Sequence, residues 1–128
     1  MVYVTDTHAL VWYFSEDSHL GKKALDIFES TVKEGLIIIP VLVLAEILYI
    51  SKKGKITLSF QETLQKIENS DNFSIAQLDL NILKIADKIN IELEMHDRLI
   101  AATALYFDAP LITKDRKIKD SKACKIVW

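Results

Sequence analysis

The chain is short of the residues on which small disulfide-linked and zinc-binding scaffolds depend. Its 128 residues include one cysteine, three glycines and two prolines. A single cysteine forms no internal disulfide, and with three scattered histidines it builds no cysteine-rich zinc site. So few glycines also exclude a Walker phosphate loop and a dinucleotide-binding fingerprint, and with so few prolines they predict short loops.

The sequence also lacks a segment suited to crossing a membrane or to export. Its most apolar stretch, residues 36–50, contains Pro40 and Glu46 and falls short of the roughly 20 apolar residues that a spanning helix needs. The amino-terminal residues MVYVTDTHAL have no basic region followed by an apolar one. We therefore expect no membrane association and a cytoplasmic location.

What is present has the composition of one globular domain over residues 1–128. Hydrophobic residues make up 50% of the chain and charged residues 27%, which is too apolar for a disordered protein. The hydrophobic pattern predicts strands at 2–5, 36–39, 73–78, 111–113 and 125–128, and helices at 7–14, 22–34, 40–54, 59–69, 80–89 and 97–107. Apolar strands that alternate with helices are typical of a parallel sheet covered on both faces. The predicted fold is therefore α/β, a three-layer α/β/α sandwich with a parallel sheet of four to five strands.

Four acidic residues are predicted to meet at one edge of this sheet. Asp6 ends the first strand and Asp115 follows the fourth, and sites in such folds form beyond the carboxyl ends of the strands. Asp97 begins a helix that starts at the same edge, and Glu46 lies in the helix that leaves the second strand. As alternatives, Asp6 and Asp97 could be helix caps and Asp115 a turn residue. Glu46 needs a charged partner, protonation or a metal ion in so apolar a segment, and no lysine or arginine lies near it on its helix face.

Such a group of carboxylates predicts a site for a hard divalent cation. The chain has 18 acidic side chains, and Mg²⁺ or Mn²⁺ prefers oxygen ligands of this kind. These ions lower the pKa of a bound water and neutralise the charge of a phosphate under attack. The pattern therefore indicates metal-dependent chemistry on phosphate esters.

The same residues resemble four sequence blocks of the PIN-domain ribonucleases, and in particular of the VapC-type toxins of toxin–antitoxin pairs. The blocks are V-T-D-T-H-A-L-V-W from residue 4, A-E-I-L at 45–48, H-D-R-L-I-A-A-T-A at 96–104 and P-L-I-T-K-D-R at 110–116. They follow one another in the order of that family. The resemblance covers essentially the whole chain as one PIN-like nuclease domain.

The resemblance implies an activity, a site and partners. The activity is that of a metal-dependent endoribonuclease, the toxin of a type II toxin–antitoxin module, in which a metal-activated water hydrolyses RNA and leaves 5′-phosphate and 3′-hydroxyl ends. Asp6, Glu46, Asp97 and Asp115 would be the catalytic and metal-binding residues, with Mg²⁺ or Mn²⁺ as cofactor. The implied partners are RNA, a cognate antitoxin that inhibits the site, and a second copy of the chain in a homodimer.

Further residues are assigned supporting roles around these acids. The residues expected to support the ligands are Thr7, Thr113 and Asp120. Asp120 is included because many relatives carry another acid two residues after the fourth one, where this chain has Lys117. The residues expected to contact RNA phosphates are Lys52, Lys53, Lys114 and Arg116.

Three consecutive aromatic residues in the first predicted helix, Trp12, Tyr13 and Phe14, support the expectation of a homodimer. Neighbouring side chains on a helix point about 100° apart, so at least one of the three should reach a surface outside the core of the monomer. Core packing and self-association are favoured here over stacking on a base.

Two other function classes remain open at this stage. A magnesium-dependent phosphoryl-transfer domain, receiver or phosphatase-like, also has an aspartate after its first strand. A phosphatase of that kind carries D-x-D, where this chain has His8, and a receiver carries an acidic pair that is missing, although Asp79 could serve as its phosphoacceptor. The other alternative is a non-catalytic binding module with the PIN fold.

Overall fold

A computed structural model describes residues 1–128 and contains five parallel strands with seven helices around them. The strands are β1 (Val2–Thr5), β2 (Leu36–Pro40), β3 (Phe73–Ala76), β4 (Leu111–Ile112) and β5 (Ile126–Val127). The helices are α1 (Thr7–Phe14), α2 (Lys22–Glu34), α3 (Val41–Lys52), α4 (Phe60–Glu68), α5 (Leu80–Lys88), α6 (Met95–Tyr106) and α7 (Arg116–Ser121). The α/β fold class predicted from the sequence is confirmed.

The strand order is β3-β2-β1-β4-β5, so β1 lies at the centre of the sheet. Val4 pairs with Ile38 of β2 on one side and with Leu111 of β4 on the other. The chain moves from β1 to β3 in one direction and then from β3 to β5 in the other. Because crossovers between parallel strands are right-handed, α1 to α4 cover one face of the sheet and α5 to α7 cover the other.

The chain connections from β1 and from β4 lead to opposite sides of the sheet, so the topological switch point lies between these two strands. Ligand sites in such sheets form at this point. The connection from β1 enters α1 on one face, and the connection from β4 enters α7 on the opposite face. A crevice opens at such a switch point beyond the carboxyl ends of the two strands. Asp6 and Asp115 are the residues immediately before α1 and α7.

The core consists of aliphatic side chains from both faces of the sheet. Val4, Ile37 and Ile39 are fully buried in the central strands, and Leu10 and Phe28 pack over them from α1 and α2. A second, smaller cluster joins α5 to α6; it contains Ile82, Ala86, Ile89, Leu99, Ala101 and Ala102. None of the seven helices has the length and apolarity that a membrane crossing requires.

Three predicted elements differ from the structure. Helix α6 begins at Met95 with Glu94 as its N-cap, so Asp97 lies in the first turn and is not the cap. Helix α7 is not among the predicted helices, because six residues with the single buried aliphatic Ile118 give too short a pattern to reveal a helix. Strand β3 ends at Ala76, two residues early, because it is the edge strand and pairs on one side only.

One of the three consecutive aromatic residues of α1 reaches a surface outside the core, as the helical spacing predicts. Phe14 is buried against Phe73, and Tyr13 stacks on Phe28 with ring centroids 4.4 Å apart. Trp12 is half-buried and lies 5.9 Å from Trp128. Other large apolar side chains are exposed away from α1; among them are Leu78, Leu80 and Leu83, at and beside α5, each more than a third exposed.

Arg98 links α5 to α6 and was not singled out in the sequence. Its guanidinium donates hydrogen bonds to the backbone carbonyls of Ala86, Ile89 and Ile91, at 3.3, 2.5 and 2.7 Å. These carbonyls lie at and beyond the end of α5, where a helix leaves acceptors without partners. Arg98 therefore fixes the segment that leads into α6, and with it the start of the helix that carries Asp97.

Replacing Arg98 with methionine should lower the free energy of unfolding by about 2 kcal/mol, because three carbonyls lose a charged donor while the aliphatic stem is kept. Urea denaturation monitored by circular dichroism measures the change. The matched control is Arg116→Met at an exposed position of α7, which should change stability by no more than about 0.5 kcal/mol. Equal effects of the two substitutions would contradict the role given to Arg98.

Candidate active site

Asp6 and Asp115 are joined at the sheet edge by the hydroxyl group of Thr113. Asp6 caps α1, and its Oδ1 accepts a hydrogen bond from the Ala9 N–H at 2.9 Å. Its Oδ2 accepts a hydrogen bond from the Thr113 hydroxyl, which in turn accepts one from the Asp115 N–H at 3.0 Å. The buried Thr113 thus ties the segment after β1 to the segment after β4, which agrees with the supporting role predicted for it.

The Asp6 carboxylate is held in an environment that disfavours its negative charge. Burial raises the pKa of Asp6 from 3.8 to about 6, and the charge of Asp115 adds to the increase. The hydrogen bonds from Thr113 and Ala9 act in the opposite direction but do not cancel the effect of burial. A carboxylate in this state gains from any cation that approaches its open side.

Glu46 has a basic partner that the sequence did not reveal. His96 Nε2 lies 2.5 Å from Glu46 Oε1, and the Thr7 hydroxyl donates to the same oxygen at 2.6 Å. The hydrogen bond from His96 lowers the pKa of Glu46 to about 2, and the same contact raises the pKa of His96. This partner cannot be found from the sequence of α3 alone, because His96 comes from α6. Thr7 acts on Glu46 as a supporting residue.

Asp97 lies in the first turn of α6, next to His96. Burial raises the pKa of Asp97, and the charges of Asp115, Glu94 and Glu46 add to the increase, while His96 opposes it. Asp6 also contributes to the raised pKa of His96. The four acids predicted from the sequence therefore act on one another electrostatically, although they come from four separate segments.

The side chains fit a divalent cation in their chemistry but do not form a closed cage for one. The carboxylate and hydroxyl oxygen atoms of the site suit Mg²⁺ or Mn²⁺, and the imidazole groups of His8 and His96 lie beside them. However, no three acidic, histidine or cysteine side chains converge closely enough in this structure to hold a metal ion. Asp97 and Glu46 are both partly exposed, although Oε1 of Glu46 is held by Thr7 and His96.

A cleft of about 410 Å³ opens at Asp6 and Asp115. Its other lining residues are His8, Ala9, Trp12 and Lys114. A larger groove of about 760 Å³ lies between α1, α2, α4 and β3 and contains none of the four acids. The larger groove also has carboxylates and a lysine among its lining residues, namely Glu16, Asp17, Glu29 and Lys66. The smaller cleft is distinguished by Asp6 and Asp115, two of the four acids predicted from the sequence.

The predicted RNA-contacting residues do not all lie at this cleft. Lys114 lines it, and Arg116 is exposed at the first position of α7 beside Asp115. Lys52 borders a separate cavity at the end of α3, and the Lys53 ammonium lies 5.5 Å from the Tyr49 ring centroid. Of the four predicted basic residues, Lys114 thus lines the cleft, and Arg116 follows Asp115 directly in the chain.

Asp120, proposed from the sequence as a substitute for the acid missing at Lys117, lies away from Asp115. It is exposed near the end of α7, five residues and about 7.5 Å along the helix from Asp115. It makes no hydrogen bond to Asp6, Thr113 or Asp115. The geometry gives Asp120 no contact with the ligands that it was expected to support.

Comparison with known proteins identifies the family. The profile of the PIN domain matches residues 3–122. The chain belongs to the PIN domain family. No match is found among curated protein sequences.

Solved structures with the same fold as this PIN domain include several toxin–antitoxin proteins. VapBC2 from Rickettsia felis, bound to a promoter DNA fragment, has a TM-score of 0.76 and 21% identity, with 99% of this chain and 98% of that chain covered. DNA-bound VapBC from Salmonella typhimurium has a TM-score of 0.73 and 15% identity, with 99% and 97% covered. VapC20 from Mycobacterium tuberculosis, a toxin that cleaves the sarcin–ricin loop, has a TM-score of 0.65 and 12% identity, with 95% of each chain covered.

Replacing Asp6 with asparagine should stabilise this PIN domain at alkaline pH. Burial raises the pKa of Asp6 in the folded protein to about 6, above its ordinary value of 3.8. The charged form therefore costs stability, fully above pH 6 and hardly at all well below pH 3.8. Asparagine keeps the helix cap without the charge, so urea denaturation in EDTA at pH 8 should show a gain of up to about 3 kcal/mol.

At pH 3.5 most of the stability advantage of Asp6→Asn should disappear, because Asp6 is then protonated in the folded state and mostly protonated in the unfolded chain. Asp79→Asn is the matched control, since Asp79 caps α5 through the Ile82 N–H at 3.1 Å and lies outside the cleft. A gain at pH 8 that is the same for both variants would contradict the unfavourable environment described for Asp6.

Proposed function

We propose that this PIN domain is a divalent-metal-dependent endoribonuclease and the toxin of a toxin–antitoxin pair. The observation that carries the proposal is the arrangement at the β1/β4 switch point, where Thr113 joins Asp6 to Asp115 and Asp97 lies within electrostatic range. The fold shared with VapC20, a toxin that cleaves RNA of the sarcin–ricin loop, supports the same conclusion.

Each residue of the site has a distinct part in the proposed reaction. Asp6, Asp97 and Asp115 would hold Mg²⁺ or Mn²⁺, and the ion would supply a water of lowered pKa and charge neutralisation at the phosphate. Thr113 keeps the Asp6 carboxylate oriented through its hydrogen bond. Glu46, held at one oxygen by Thr7 and His96, would serve as a ligand or orient the attacking water with its other oxygen. Lys114 and Arg116 are placed to contact phosphates of the RNA.

The alternatives receive less support. A receiver has the strand order 2-1-3-4-5, whereas this sheet has the order 3-2-1-4-5. Asp79, its candidate phosphoacceptor, caps α5 beyond the edge strand β3, two strands away from Asp6. A non-catalytic binding module gives no reason for Asp6 and Asp97 to lie where burial and the charge of Asp115 raise the pKa of both carboxyl groups, and a cleavage assay separates it from a nuclease.

The purified protein should cleave RNA in Mn²⁺ or Mg²⁺ and should lose this activity in excess EDTA. Asp6→Asn should lower the rate by about 100-fold or more, because one charged ligand is removed while the fold remains. Mn²⁺ should also raise the melting temperature of the wild type and leave that of Asp6→Asn nearly unchanged, which reports binding independently of activity. Asp79→Asn should behave like the wild type. Undiminished cleavage in EDTA, or by Asp6→Asn, would refute the proposed mechanism.

The proposed antitoxin and homodimer are supported by different observations. Solved structures of the same fold from Rickettsia felis, Klebsiella pneumoniae and Salmonella typhimurium are toxin–antitoxin complexes. For the homodimer, the exposed leucines at 78, 80 and 83 provide a physical reason in addition to the aromatic residues of α1.

Light scattering at micromolar concentration should give twice the 14.6 kDa mass of the chain. Leu80→Lys, at a side chain that is 64% exposed, should shift the mass toward that of the monomer without unfolding the protein. The wild type at the monomer mass would remove the homodimer. A small open reading frame next to the gene, encoding a protein with a DNA-binding amino-terminal part, is the corresponding expectation for the antitoxin.

A further inference from the structure

Trp12 is the one aromatic residue of α1 that faces the acidic cleft. Its half-buried indole lines the cleft together with Asp6 and Asp115. Six residues along α1 correspond to about 9 Å from Asp6, so the ring lies a short distance along the surface from the carboxylates. Tyr13 and Phe14 point elsewhere and pack on Phe28 and Phe73.

The indole of Trp12 is held in place by other rings. Trp128, at the end of the chain, meets it at 5.9 Å with an angle of 65°, and His19 stacks on it at 5.4 Å with an angle of 27°. His8, one turn earlier on α1, lies 5.7 Å away. A ring that is fixed in this way loses little conformational entropy when a flat ligand stacks on it.

The cleft continues past Trp12 into a second cavity of about 440 Å³. Trp12 and His8 line both spaces, and the second cavity is also lined by Asp17, His19 and Lys55. The Asp17 carboxylate accepts a hydrogen bond from the His19 N–H at 2.8 Å, and Lys55 is the one lysine of this cavity. A strand laid along this path would pass the carboxylates first, then the indole, and then Lys55. Lys52 and Lys53, the lysines near the end of α3 that were predicted to contact RNA, do not line this path.

An aromatic ring with basic side chains beside it is typical of sites that bind single-stranded nucleic acid. In such sites the bases stack on aromatic rings and the phosphates follow basic side chains. The Lys114 ammonium lies 5.9 Å from the Trp12 ring centroid, and Lys114 is exposed. An exposed cation–π contact of this kind is weaker than base stacking, so an incoming base displaces Lys114 and frees its ammonium for a phosphate.

We infer that Trp12 is the stacking platform for an unpaired base of the RNA strand next to the phosphodiester at Asp6 and Asp115. The inference rests on the proposed function and adds a substrate requirement to it, namely that the RNA is single-stranded or splayed open at the cleavage point. Lys114 and Lys55 hold the phosphates on the two sides of that base. The role replaces the core and self-association role expected for Trp12 from the sequence.

The test uses the whole protein in EDTA, with fluorescein-labelled decaadenylate and an abasic decamer of the same backbone as probes. In anisotropy titrations, Trp12→Leu should weaken binding of decaadenylate by about 5- to 140-fold, the range expected for the loss of one base–aromatic stack. Trp12→Phe should restore most of the affinity. Binding of the abasic decamer should be the same for the wild type and both variants.

Trp128→Leu is the matched control, because it removes the Trp12–Trp128 contact without removing a residue that lines the cleft. It should change the affinity for decaadenylate less than 3-fold. In the Trp128→Phe protein Trp12 is the only tryptophan, and decaadenylate should quench its fluorescence while the abasic decamer should not. This measurement needs no substitution at Trp12, so it holds even if Trp12→Leu fails to fold.

The outcomes separate this inference from the proposed function. The protein could cleave RNA in Mn²⁺ while Trp12→Leu binds decaadenylate as tightly as the wild type, or while decaadenylate does not quench the fluorescence of Trp12. Either result would overturn the inference about Trp12 and would leave the proposed nuclease function standing. Trp12-dependent binding without cleavage under any metal condition would support the platform and overturn the nuclease in favour of a binding module. Equal losses in Trp12→Leu and Trp128→Leu would reduce Trp12 to a structural role and also overturn the inference.

Discussion

The hydroxyl group of Thr113 is the contact on which the arrangement of the acidic edge depends. Asp6 and Asp115 follow different strands and repel each other, yet the same hydroxyl donates to the Asp6 carboxylate and accepts from the Asp115 backbone. Both aspartates also cap helices that leave on opposite faces of the sheet. One buried side chain thus fixes the start of α1 relative to the start of α7, and every distance within the cleft follows from it.

The acidic residues of this edge differ in whether neighbouring groups stabilise their negative charge. Glu46 has a basic partner in His96 and a hydroxyl donor in Thr7, and both contact Oε1. Burial raises the pKa of Asp6 and of Asp97, and neither carboxyl group has a partner that offsets the increase. A divalent ion bound as proposed would therefore gain most at the two aspartates, while the restrained Glu46 would be better suited to act through its free oxygen on a water or at a single coordination position.

The sequence could predict the parts of the site that depend on neighbouring residues in the chain. Asp6 and Asp115 were located because strand ends and their following residues are local features. The Glu46–His96 pair joins residues fifty positions apart on two helices, and nothing in either helix alone indicates it. The contact between Trp12 and Trp128 is hidden in the same way, because helical periodicity gives the direction of a side chain but not the element that meets it.

Helix α1 connects the stability of the fold to the function of the site. It carries the Asp6 cap, the hydroxyl of Thr7 that holds Glu46, and the indole that borders the cleft, while Leu10 and Phe14 anchor it in the core. Eight residues are too few for a helix to be stable in isolation, so α1 exists because its neighbours hold it. The cap is itself a buried carboxylate whose charge disfavours folding. A charged Asp6 therefore lowers the stability of the fold, and the packing of α1 offsets this loss. A cation bound at that carboxylate would restore the stability that the charge removes.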